Sequence, residues 1–82
     1  MTPQQKEELI RALKDLRVKY VILLLQEQAE KDGREDVIDS LTVLMRKVTH
    51  NQIMMRNRVI TRQQCNEAIQ AVADEVLQFI NH

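Results

Sequence analysis

Eighty-two residues, 44% hydrophobic and 29% charged, make a single domain, and one glycine with one proline leaves too few chain breakers for a turn-rich sheet. Twelve basic and twelve acidic side chains cancel, so gross charge points to no polyanionic partner. The apolar run Tyr20–Leu25 is too short to span a bilayer, and the first residues lack a signal-peptide profile. A lone cysteine forms no internal disulfide, and the cytoplasm is the expected compartment.

The chain opens with a helix start. Thr2 can cap, Pro3 suits the first helical position, and Gln5 completes a capping box. Leu9, Ile10, Leu13 and Leu16 then recur at helical spacing. Val18, Val21, Ile22, Leu25 and Ala29 follow at the same period but in a new phase, which predicts a break near Asp15–Arg17. With no Gly or Pro there, one continuous helix is the alternative. Tyr20, Leu23 and Leu24 add apolar side chains around this second segment, so it reads as a central, mostly buried helix.

Gly33 stands where a left-handed residue ends a helix. Val37, Ile38, Leu41, Leu44, Met45, Val48, Gln52 and Met55 mark a long amphipathic helix. Thr61 and Gln64 form a second capping box, and Ile60 and Cys65 occupy the positions of a hydrophobic staple. The last stripe is Cys65, Ala68, Ile69, Val72, Val76, Phe79 and Ile80. The expected fold is all-α, one domain over residues 1–82, with helices 3–15, 18–31, 35–57 and 62–81. The last two form an antiparallel hairpin whose seam the shorter pair covers. The end at Asn81-His82, directly after the last helix, would suit a module excised from a longer polypeptide.

Little catalytic chemistry is visible. Asp39-Ser40-Leu41 matches the triplet on which acyl carrier proteins bear phosphopantetheine. Those serines start a helix after a glycine-bearing loop, whereas Ser40 follows residues already helical in pattern, so it reads as a polar outer position. His50, His82 and Cys65 are too scattered for a zinc set. Cys65 lies on an apolar stripe and reads as a structural thiol. The acidic pairs (Glu7/Glu8, Glu35/Asp36, Asp74/Glu75) are neighbours that point about 100° apart on a helix. No catalytic residue, metal ligand or cofactor is expected.

Charge placement carries more information. Residues 27–39 hold Glu27, Glu30, Asp32, Glu35, Asp36 and Asp39 against Lys31 and Arg34. From Ser40 to Asn66 there is no acidic residue, but Arg46, Lys47, Arg56, Arg58 and Arg62 all occur. Helix dipoles explain part of this. The alternative is a pair of complementary patches about 30 Å apart, suited to pairing with another copy or a relative. Met54 is the methionine expected to be exposed beside the basic patch. Nucleic-acid binding through residues 46–62 competes, but Tyr20 and Phe79 both sit on stripes read as buried, leaving no stacking platform. A chaperone-like or anti-sigma-like binder of one partner helix is a third class.

The stretch Val59-Ile60-Thr61-Arg62-Gln63-Gln64-Cys65-Asn66, followed by Val72, Val76, Leu77, Phe79 and Ile80, resembles the effector-associated domain family, in its eleventh-numbered type. Leu41, Leu44, Lys47 and Val48 look like its leucine-rich helix, and Asp15-Leu16-Arg17-Val18 with Val21-Ile22 like its first turn. The likeness covers residues 13–81. The chain departs from the family at Leu16 and Arg58, where glycine is favoured, and at Gln70-Ala71, where an Asn-Arg pair is. The first two departures bear on how sharply the chain turns.

The resemblance implies a small helical adaptor, death-fold-like in role, from bacterial conflict and immunity systems. Its partners would be like domains on the same or other proteins, such as NTPases, peptidases or other effectors, with homo-oligomers as one form. The residues expected to make the contact are Glu35, Asp36 and Asp39 on one patch, and Lys47, Arg56, Arg58 and Arg62 on the other.

Overall fold

A computed structural model describes residues 1–81, and His82 lies outside them. The protein is an all-α four-helix bundle: α1 (Pro3–Lys14), α2 (Val18–Lys31), α3 (Glu35–Arg56) and α4 (Arg62–Asn81). Both capping boxes form. Gln5 N–H donates to Thr2 Oγ1 at 3.2 Å while Thr2 N–H donates to Gln5 Oε1 at 2.9 Å. Gln64 N–H donates to Thr61 Oγ1 at 3.1 Å and Thr61 N–H to Gln64 Oε1 at 2.9 Å.

The first three helices end in the same way. Leu16, Gly33 and Arg58 take φ of 58°, 67° and 62°. Each donates its N–H three residues back: Leu16 to Leu13, Gly33 to Glu30 and Arg58 to Met55. The following residue donates five back: Arg17 to Ala12, Arg34 to Ala29 and Val59 to Met54. This is the Schellman closure, and it satisfies carbonyls that a helix end leaves open. Only Gly33 has the residue type that the geometry favours. The turns at Leu16 and Arg58 are as sharp as the one at Gly33, at a cost in backbone energy that glycine would avoid. Residues 3–31 are therefore two helices. Arg17 and Arg34 also serve the helices that follow, their carbonyls accepting from Val21 and Ile38. Links this short force each helix to run back along its predecessor.

α2, α3 and α4 pack against one another, and α1 lies on α2 and α4. Among the described residues α1 does not reach α3, so α2 alone covers the α3–α4 seam. The core is wholly apolar: Val18, Val21, Ile22, Leu41, Val48, Cys65, Val76 and Ile80 are its most enclosed side chains. Among the described residues no polar or charged residue is buried.

α2 is less enclosed than its composition suggests. Tyr20 is 47% and Leu23 55% exposed, because α2 keeps an outer face toward solvent although all three other helices touch it. The reading of both aromatics as buried is thus corrected: Tyr20 is exposed, and Phe79 is half-buried. On α3 the exposed apolar residue near the C-terminus is Ile53, and Met54 is half-buried. The helices are unequal. At 1.5 Å per residue α1 and α2 run about 18 and 21 Å, α3 and α4 about 33 and 30 Å. The α3–α4 corner consequently projects past the α1–α2 corner along the 39 Å axis of the molecule.

Replacing exposed Arg58 by glycine should stabilise the fold by about 0.5–1 kcal/mol, since relief of left-handed strain outweighs glycine's greater freedom in the unfolded chain. A Cβ at Gly33 would meet nothing within 4 Å, so Gly33→Ala should cost only the backbone term, about 1 kcal/mol. Urea midpoints at unchanged slope would read both.

Candidate interaction surface

α3 carries Glu35 and Asp36 in its first turn and Arg56 in its last, the order that complements a helix dipole. The topology extends this asymmetry to the whole molecule. The start of α1, the end of α2 and the start of α3 share one half of the long axis. Glu7, Glu8, Glu27, Glu30, Asp32, Glu35, Asp36 and Asp39 gather there, with Lys6, Lys31 and Arg34 among them. The other half takes both remaining corners and collects Lys14, Arg17, Lys19, Arg56, Arg58 and Arg62 against Asp15 and Glu67. Arg11, Arg46, Lys47, Asp74 and Glu75 lie around the waist. A net charge of zero therefore hides an axial dipole.

All seven residues singled out in the sequence are exposed. Glu35, Asp36 and Asp39 stand together at the start of α3, and Arg56, Arg58 and Arg62 surround the projecting corner. Lys47 does not join them. It sits at the waist, where its Nζ lies 3.8 Å from Glu75 of α4, an exposed pair contributing about 0–1 kcal/mol. The α1–α2 corner adds Lys14, Arg17 and Lys19 to the basic half, which linear charge counting over 40–66 misses. Antiparallel pairing of two short helices was the signal that could have found them.

At the acidic end, Arg34 donates two hydrogen bonds of 3.4 Å to the Asp36 carboxylate. Arg34, followed by the Val37 N–H, holds the Asp36 carboxyl below the ordinary carboxylate range. Its charge therefore persists to lower pH than that of a free aspartate. Between the helix ends lies an open cavity of about 560 Å³. Leu25, Ala29, Val37, Phe79 and Ile80 form its floor, while Asp32, Arg34, Asp36 and Ser40 stand exposed at its mouth, with Met1 and Lys6 on the α1 side. Ser40 lies within α3, and its hydroxyl donates to the Asp36 carbonyl at 3.1 Å. It does not begin a helix as a carrier-protein serine does.

At the basic end the Arg17 guanidinium sits 4.5 Å from the Tyr20 ring centroid, a cation–π contact on an exposed face. Val59, at the tip of the projecting corner, is 68% exposed. Among the described residues, no cluster of three or more His, Cys, Asp or Glu is placed to hold a metal, and no helix is long and apolar enough to cross a membrane. No family model, curated protein or solved structure matches the chain.

Cys65 is buried among apolar neighbours, so it should react with a disulfide thiol reagent at the rate of unfolding. Reaction speeding up with urea in step with loss of helicity would bear this out; fast reaction of the folded protein would contradict it.

Proposed function

We propose that this chain is a non-enzymatic adaptor domain of the cytoplasm that associates with like domains, coupling a sensor or NTPase to an effector in bacterial conflict or immune signalling. The single observation that carries the association is the axial separation of charge at exposed positions. Two copies that meet end to end bring opposite signs together, whereas copies meeting with equal ends repel, so the same surface attracts and orients. Glu35, Asp36 and Asp39 supply one side of the contact, and Arg56, Arg58 and Arg62 the other. Lys47, engaged with Glu75, takes a lesser part. The conflict-system setting rests on the resemblance of residues 13–81 to effector-associated domains.

Binding of nucleic acid is the second reading, and two observations favour it. The basic half contains more cations than residues 46–62 alone, and Tyr20 offers an exposed ring beside Arg17. A ring of this kind can stack on a base, and a clustered set of cations can follow a phosphate backbone.

Reversing Arg56 and Arg58 to glutamate should abolish self-association in sedimentation velocity while far-ultraviolet circular dichroism keeps its helical signal. Association that survives the double reversal would exclude these residues from the contact. For the second reading, fluorescence anisotropy of a labelled single-stranded oligonucleotide should rise steeply as salt is lowered and weaken on Tyr20→Ala. An anisotropy flat at low salt counts against it.

A further inference from the structure

We propose that copies of this chain stack head to tail, the Val59 tip of one seated in the open cavity at the opposite end of the next. The arrangement rests on the homotypic reading above and names its geometry.

Shape supports it first. Val59 is the most exposed of the large hydrophobic side chains. It is held on a rigid corner: its N–H is bonded to the Met54 carbonyl at 2.8 Å, and the neighbouring Ile60 packs against the core. The cavity offers an apolar floor that no side chain among the described residues fills. Its volume, about 560 Å³, has room for an aliphatic tip with the stems of adjacent arginines, which bury methylenes while their guanidinia stay wet.

Charge supports it second. Arg56, Arg58 and Arg62 encircle the tip, and Asp32 and Asp36 stand at the cavity mouth with Glu35 and Asp39 beyond. Arg34 at the mouth pairs with Asp36, so the net attraction comes from Asp32, Glu35 and Asp39, set against Lys6 and Lys31.

The two surfaces lie at opposite ends of a 39 Å axis, so neither can satisfy the other within one molecule. A contact between unlike surfaces is heterologous, and it propagates as an open row or closes as a ring. The transverse extents are 24 and 15 Å. An end-on contact is then confined to a few hundred Å² a side, short of the roughly 800 Å² per partner of a stable complex. Single contacts are therefore weak. Rows form where copies are tethered close together, because linkage raises the effective concentration of the second contact.

Two exposed positions test this. Val59→Asp disables the tip, because a carboxylate entering the cavity loses its water. Ser40→Arg blocks the mouth. By sedimentation velocity up to about 1 mM, where a Kd of about 1 mM becomes visible, wild type should form a concentration-dependent series weakened by salt. Each variant alone should associate about tenfold or more weakly, since every contact then lacks one partner surface. An equimolar mixture should restore a single 1:1 dimer and nothing larger, because one good tip meets one good cavity.

If wild type stays monomeric, the homotypic reading falls and the stacking with it. If wild type associates but the mixture forms no dimer, or either variant alone associates as wild type does, the stacking fails while homotypic association stands. Association lost on nuclease treatment overturns both in favour of a nucleic-acid bridge. Should circular dichroism show Val59→Asp unfolded, Arg58→Glu with Arg62→Glu disables the same tip.

Discussion

The left-handed residue that ends each of the first three helices constrains everything built above it. Leu16, Gly33 and Arg58 reverse the chain, in links of three residues at the first two corners and five at the last, by placing their N–H groups on carbonyls of the helix just finished. So abrupt a link allows a helix only one course, back along its predecessor. The up-and-down bundle, the opposition of α3 to α4 and the shared end of α1, α2, α3 and α4 follow from this local geometry. Two of the three positions hold residues that pay for the conformation in strain, and hydrogen-bonded closure at each corner offsets it.

The antiparallel course turns a sequence pattern into a molecular property. Along α3 the charges change sign gradually, as they do on many helices that complement their own dipole. In a parallel arrangement the neighbours could have cancelled the gradient. Here α1 and α2 each contribute acidic residues to the end where α3 begins and basic residues toward the end where it stops. The dipole is thus a consequence of topology acting on sequence, and it appears without any strongly charged helix.

Much of the architecture is legible in the sequence. Thr2-Pro3-Gln4-Gln5 and Thr61-Arg62-Gln63-Gln64 announced two helix starts, because a capping box is a local contract between residues three apart. The phase change around Asp15–Arg17 announced the α1–α2 corner, and Gly33 the next. Burial on α2 was misjudged at Tyr20 and Leu23, since periodicity records which side chains are apolar and says nothing of how many neighbours a helix has. Lys47 was grouped with Arg56 through proximity in sequence, although nine helical residues separate them by about 14 Å. Its actual partner, Glu75, lies on another helix. The cavity at the acidic end had no sequence signature, because it is made from the ends of four separate helices.

The uncharged interior shapes how the molecule meets its surroundings. With no charged side chain enclosed among the described residues, ionic strength bears on the exterior and hardly on the scaffold. Cohesion of the monomer and cohesion between monomers are governed by different physical variables. Under the stacking proposed above, a cell that alters its ion content dissolves or reinforces the row while every subunit keeps its shape.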